Sequence, residues 1–270
     1  SIGELNTMSE KAESRSANGF ATRNPPIFES VEDDRRHRIE RLAAACRIFG
    51  RAGFSEGLLG HITVRDPEDP DHFWANPLGI SFRLIKASDM VLVDHAGNIL
   101  KGSRPVNPVG VRLHAAVHRA YPAVTAVCHA HSIHGSAWSA FGRPIEPITQ
   151  DTAVFFDDQA IIREPRVASD SEGADQFAAG FAGKRTAIQP GHGLFTTGES
   201  VDEAAWRFMS MDRACQVQLL AEAAGKPEIW PAEMALGLKN ALGSPAFCWQ
   251  SFQLLWDELC AETREFLDLE

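Results

Sequence analysis

Three histidines fall within six positions of the stretch TAVCHAHSIHGSAW, residues 125–138: His129, His131 and His134. TAVCHA is apolar and β-branched enough for a buried strand, and residues two apart on a strand share a face. His129 and His131 therefore project together, the spacing by which one rigid element offers two imidazoles to one ion. Two hydrogen-bonded histidines at a strand end fit the same pattern, and spacing leaves both readings open. A third donor is His192 in QPGHGLFTTG, where flanking glycines allow a tight turn and give the ring room to reach a site. A histidine on a surface loop is the plain alternative there.

Three neutral imidazoles with no thiolate suit Zn2+, Mn2+ or Fe2+ and leave coordination positions open for water or substrate. An open position means catalysis rather than a structural staple. His134 lies past the strand, at the start of a following helix, and is expected behind the ligands or facing substrate. His114 and His118, one helical turn apart in PVGVRLHAAVHRAYP, could pair on a metal by spacing. On so apolar a helix, packed and hydrogen-bonded histidines are the expectation.

Those donors need a frame. Ile39, Leu42, Ala43, Cys46 and Phe49 recur at helical spacing after Ser30, and Gly50 and Gly53 close the run. HITVRD (61–66) and FWA (73–75) read as short strands around the turn-rich DPEDPD, and MVLVD with ILKG as a hairpin turning at Gly97 and Asn98. A helix over 108–122 opens on Pro108 and stops at Pro122. After the strand at 125–130, SIHGSAWSAFG continues as a helix, QAIIR is a strand, SEGADQFAAGFAG a helix, and TAIQ and LFTTG are strands around PGHG. Ser200 with Glu203 forms a capping box for a helix reaching about Ala224, with Gly225 as its stop. Helices over 231–242 and 247–267 finish the chain. One α/β domain over residues 27–270 follows a polar tail, 1–26, expected to be flexible.

Composition narrows the function. Against 26 Lys plus Arg stand 36 Asp plus Glu, a formal charge of −10, and the one basic cluster, DDRRHRIER, is interleaved with acids. Nucleic acid and anionic membranes are therefore not expected partners; a small molecule is. Five cysteines without a CxxC pair fit thiols in a reducing cytoplasm. No window approaches the ~18 uninterrupted apolar residues of a membrane span, and the start of the chain lacks a secretory-type apolar core.

The series GLLGHITVRDP, ANPLGISF, DMVLVDHAGNIL, LHAAVHRAYPAVTAVCHAHSIHGSAWSAFGRPI and GHGLFTTGESVDEA resembles the class II aldolase/adducin family, from about Glu32 to about Glu222. The resemblance implies a single three-layer α/β/α domain with a central mixed, mostly antiparallel sheet. It also implies a homo-oligomer, usually a tetramer with active sites between subunits, and a divalent metal on His129, His131 and His192.

The departures from the family's sugar-phosphate aldolases bear on chemistry. Those enzymes carry a glutamate base at the position of Gly110. Their phosphate-binding positions are occupied by His61, by Leu78 before Gly79, and by Pro108 with Val109. The tyrosine acid that some of them use falls at Gln150, followed by Asp151; the only tyrosine, Tyr121, lies elsewhere. A phosphate dianion would lose most of its donors here.

A site that keeps its metal but lacks the base needs a reaction that starts without carbon deprotonation, and decarboxylation is one. An aromatic or pyridine acid with a neighbouring hydroxyl can chelate the ion, which accepts charge as CO2 leaves. The resemblance points to the family's manganese-dependent decarboxylases, such as those acting on 3-hydroxy-2-methylpyridine-4,5-dicarboxylate in vitamin B6 breakdown. Mn2+ is then the expected ion, ahead of Zn2+ or Fe2+. His61 is expected to hold a second carboxylate or deliver a proton, with Leu78, Gly79, Phe82, Pro108, Val109, Gly110, Gln150 and Asp151 around the substrate. Arg65, Arg104, Arg112 and Arg143 are candidates for its carboxylates. The alternatives are a non-haem iron oxygenase on hydroxyphenyl-pyruvates or -mandelates, an aldolase, epimerase or dehydratase on an unphosphorylated substrate, and a non-catalytic adducin-like module.

Overall fold

Along a strand, alternate side chains go to opposite faces, and in the stretch 126–130 this sorting separates two cores. Ala126, Cys128 and Ala130 join one apolar cluster, Val127 joins another, and His129 shares the face of Val127. The computed structural model describes residues 22–165 and 170–269; the expected N-terminal tail lies outside the described residues over 1–21. Thr22 and Arg23 hydrogen-bond to Gln250 and Asp257.

Among the described residues, eight strands form one sheet: β1 (His61–Arg65), β2 (His72–Ala75), β3 (Val91–Asp94), β4 (Ile99–Lys101), β5 (Ala126–Ala130), β6 (Gln159–Ile161), β7 (Thr186–Gln189) and β8 (Gly193–Gly198). Their order is β4-β3-β2-β1-β5-β8-β7-β6. Every pairing is antiparallel except β6 with β7, so the sheet is mixed and mostly antiparallel, as the resemblance implied.

The helices are α1 (Val31–Arg51), α2 (Pro108–Ala120), α3 (Ile133–Ser139), α4 (Gln150–Ala153), α5 (Ser171–Ala179), α6 (Val201–Ala224), α7 (Ala232–Leu242) and α8 (Pro245–Glu262). Helices α1, α6 and α8 cover the Cys128 face, while α2 and α5 cover the face of Val127 and His129. That is the α/β/α layering. No helix among the described residues is long and apolar enough to cross a membrane.

Most ends follow local chemistry. Ser30 caps α1 by accepting from Asp33 N, and Asn107 caps α2 by accepting from Val109 N and Gly110 N, with Pro108 at the first turn. The expected capping box is half formed: the Ser200 hydroxyl accepts from Glu203 N, but the Glu203 carboxylate takes Glu199 N and pairs with Arg207. The last helix starts earlier and stops sooner than its apolar spacing predicts, at Pro245 and Glu262, with a separate 3-10 turn at Glu265–Leu267. Four cysteines are buried and Cys260 is partly buried, all unpaired.

Phe208 on α6 is wholly buried, with its ring 5.0 Å from Phe49 and 5.5 Å from Phe54. Phe208→Ala opens a cavity between α6 and α1 and should cost about 3–5 kcal/mol, read as a lower denaturation midpoint; an unchanged midpoint would contradict this packing.

Candidate metal centre

The register of the sheet assembles the centre. His61 on β1 pairs with His129 on β5, and His129 pairs in turn with Phe195 on β8, so the three side chains form one row on the α2/α5 face. His131 stands one residue past the end of β5, and His192 sits in the turn between β7 and β8. That turn depends on Gly191, whose φ of +74° is left-handed. The turn closes with His192 N donating to Gln189 O at 3.0 Å.

His129, His131 and His192 each place one ring nitrogen within 4.8 Å of the others. Their ring centroids are 4.7 to 5.1 Å apart, and the His129 ring stacks on Phe195 at 4.0 Å. Two of the rings are oriented by accept-only groups. His129 Nδ1–H donates to Leu194 O at 2.8 Å, and His192 Nδ1–H donates to Gln189 Oε1 at 2.6 Å. The Gln189 amide is itself turned by donating to Pro165 O at 2.8 Å. Both rings thus keep Nε2 bare, as a metal ligand must.

The His129 Nε2 is buried and has no hydrogen-bond partner. An orphaned buried nitrogen costs on the order of 1–3 kcal/mol, which a bound cation would remove, so the residues present fit a divalent ion. Burial pushes His129 well below the ordinary imidazole range, lowers His131, and brings His192 to about 4. All three are neutral donors.

His61 lies beside this cluster, its ring centroid 4.9 Å from that of His129. A Cβ added at Gly110 would meet the His61 ring at 2.2 Å from Cδ2 and 2.5 Å from Nε2. The imidazole therefore fills the start of the path that any side chain at position 110 would take. A side chain at position 110 and the ring of His61 compete for one volume.

Behind His61 runs a buried chain of hydrogen bonds. His61 Nδ1 meets His114 Nε2, His114 Nδ1 meets Thr63 Oγ1, and Thr63 Oγ1 meets His118 Nε2, each at 2.9 Å; His118 Nδ1 reaches Val124 O at 3.2 Å. His114 and His118 are thus packed and hydrogen-bonded, as their apolar helix suggested. Burial pushes His61 and His114 well below the ordinary range, and burial followed by the nearby Arg65 charge brings His118 to about 3.

The remaining candidates make other contacts. Leu78, Gly79 and Phe82 line a cleft of about 10 Å3 with Gly60, Asn76 and Asn107. Pro108 and Val109 are exposed at the first turn of α2. His134 is outside the three-ligand cluster, and its Nδ1 bonds Asp212 of α6 at 3.0 Å. Gln150 and Asp151 are exposed at the start of α4, with Asp151 3.8 Å from Arg213. Arg65 spends its guanidinium on the carbonyls of Pro70, His118, Tyr121 and Val124. Arg104 pairs with Asp89, and Arg143 with Glu146 and Glu222. Spacing gave no sign of Thr63. Gln189 could have been found as an amide three residues before a candidate ligand, and Asn107 as a capping residue before Pro108.

The family described as Class II Aldolase and Adducin N-terminal domain matches residues 40–219, and the chain belongs to it. It is 40% identical over 252 residues to decarboxylase NovR of Streptomyces niveus, covering 92% of this chain and 93% of that protein. It is 41% identical over 243 residues to a 4-hydroxy-3-prenylphenylpyruvate oxygenase/4-hydroxy-3-prenylbenzoate synthase of Streptomyces roseochromogenus subsp. oscitans, covering 88% of this chain and 87% of that one. Among solved structures, the L-fuculose 1-phosphate aldolase from Glaciozyma antarctica PI12 superposes with a TM-score of 0.81 at 38% identity, covering 90% of this chain and 96% of that one.

Two predictions follow from this geometry. His129→Ala, His131→Ala and His192→Ala should each abolish stoichiometric metal in elemental analysis, and Gln189→Leu should weaken metal affinity about 10–100-fold while leaving the three ligands in place; full occupancy in the His129 and His131 variants would remove the site. Gly110→Ala should destabilise the protein by about 1–3 kcal/mol through overlap with His61, and His61→Ala should relieve it. In chemical denaturation the double variant should be more stable than the two single effects summed; strict additivity would mean that the two positions do not compete for space.

Proposed function

We propose that the chain is a divalent-metal-dependent carbon–carbon lyase that decarboxylates a hydroxylated aromatic or pyridine acid, with Mn2+ as the preferred ion. The exchange of a side chain at position 110 for the ring of His61 carries the reading. An aldolase must remove a proton from carbon, and the carboxylate that does so in the family's aldolases has no room here. A divalent ion held at the centre would supply a Lewis acid for the charge released with CO2. His129, His131 and His192 would hold it through uncharged nitrogens, leaving its charge for an acidic ligand. His61 stands beside them, its ring centroid 4.9 Å from that of His129.

Leu78 stands in the cleft beside Gly79, Asn76 and Asn107, where it offers a phosphate dianion no side-chain donor. This argues against carrying over the sugar-phosphate chemistry in the name of the structural relative. The name of decarboxylase NovR supports decarboxylation, and that of the 4-hydroxy-3-prenylphenylpyruvate oxygenase supports a hydroxyaryl acid, of which 3-hydroxy-2-methylpyridine-4,5-dicarboxylate is a heteroaromatic form. The intact three-histidine cluster favours an enzyme over a non-catalytic module. Ile133 and Phe141, exposed at the two ends of α3 just past His131, suit an oligomer, a homotetramer in our reading, whose sites lie between subunits. Five unpaired thiols suit a reducing cytoplasm.

A second reading, an iron oxygenase, is favoured by the 41% identical oxygenase relative. Incubation of purified protein with hydroxybenzoates, 4-hydroxyphenylpyruvate and the hydroxypyridine diacid, under strict exclusion of O2 with Mn2+ or Fe2+, separates the two. CO2 release without O2 is the expected outcome. Turnover that begins only when O2 is admitted would sink the decarboxylase reading and leave the oxygenase.

A further inference from the structure

With its three histidines neutral, the chain from His61 to Val124 O allows one arrangement of its protons. A carbonyl oxygen only accepts, so His118 Nδ1 must carry a hydrogen and donate it to Val124 O. Neutral His118 then has a bare Nε2, which takes the Thr63 hydroxyl hydrogen. The Thr63 oxygen, having given its only hydrogen, accepts from His114 Nδ1–H. His114 is left with a bare Nε2, and it accepts from His61 Nδ1–H. Arg65 donates to the same Val124 O from Nη2 at 2.9 Å, a fixed positive charge at the end of the chain that disfavours an extra proton on His118.

We infer that this chain fixes His61 in its Nδ1–H form, so that His61 meets a ligand at the centre through a bare Nε2. His61 is then a specificity-determining residue that selects, among metal-chelating acids, those offering a hydroxyl hydrogen. Thr63, His114 and His118 are the positioning residues that set its polarity. Histidine as a residue type suggests a proton donor as readily as an acceptor; the carbonyl at the far end of the chain selects the acceptor. Two further observations fit. Gly110 has no side chain to cover the Cδ2–Nε2 edge, and no hydrogen bond occupies His61 Nε2 among the described residues. A site built around one buried polar contact discriminates strongly against an analogue that lacks the matching hydrogen.

The proton arrangement rests on hydrogen-bond geometry and on a neutral His118 beside the Arg65 charge; the ligand class rests on the hydroxyaryl-acid reading given above. Two measurements keep them apart. Nitrogen-15 NMR of histidine-labelled, metal-free protein, assigned with single histidine variants, should show His61, His114 and His118 each with a protonated Nδ1 and a bare Nε2. A protonated Nε2 on His61 would overturn the inference, whatever the ligand. Equilibrium binding of 2-, 3- and 4-hydroxybenzoate and the matching methoxybenzoates to the Mn2+-loaded protein should show at least one hydroxyl isomer bound ten-fold or more tighter than its methyl ether. Thr63→Val, which breaks the chain, should reduce that ratio below about threefold, and Thr63→Ser should restore it. A ratio that survives Thr63→Val would show that the chain does not set specificity. If the NMR pattern holds and no hydroxybenzoate binds, the ligand class falls together with the functional reading, and the proton arrangement stands.

Discussion

The anchoring of imidazole Nδ1–H groups to accept-only oxygens is the constraint on which the centre depends. Leu194 O holds His129, Pro165 O holds Gln189 and through it His192, and Val124 O holds the chain that ends at His61. Each anchor lies in the backbone at the end of a strand or in the loop next to one. The sheet that orders the carbonyls therefore also orders the lone pairs. A histidine free to exchange its two tautomers would offer a donor as often as an acceptor, and a cation needs the acceptor every time.

The second organising constraint is volume. Sheet register brings His61 against the first turn of α2, and the ring takes the space over position 110. A side chain at position 110 would overlap the His61 ring as it stands. The family's fold is kept, and the three histidines still come together. A close match to a sugar-phosphate aldolase in overall shape fixes the fold and leaves the reaction to the side chains at the centre. The same economy shows in the arginines: Arg65, a candidate for substrate carboxylates by type, is consumed by four backbone carbonyls and serves the frame instead.

Much of this was legible along the chain because it is local. The alternation in TAVCHA places His129 in a strand and carries His131 past its end, the glycines of PGHG admit the turn that presents His192, and Ser30, Pro108 and Ser200 mark helix starts by chemistry confined to one turn of backbone. The motif series also carried the family and, with it, the mixed sheet. Where local signals failed, a distant partner decided. Glu203 left the capping box for Arg207, and the last helix ended before its apolar pattern did.

By itself the sequence determined which residues could be ligands and which segments would carry them, since residue type and short-range periodicity suffice for each; the missing base was an expectation from the resemblance. Tertiary structure alone decided that a side chain at Gly110 would compete with the His61 ring for space, that His114 and His118 support His61 through Thr63, and which nitrogen of each ring is bare. The reason is physical: tautomer and steric occupancy are set by atoms dozens of residues away in the chain, and only strand register and helix packing bring those atoms within hydrogen-bonding distance.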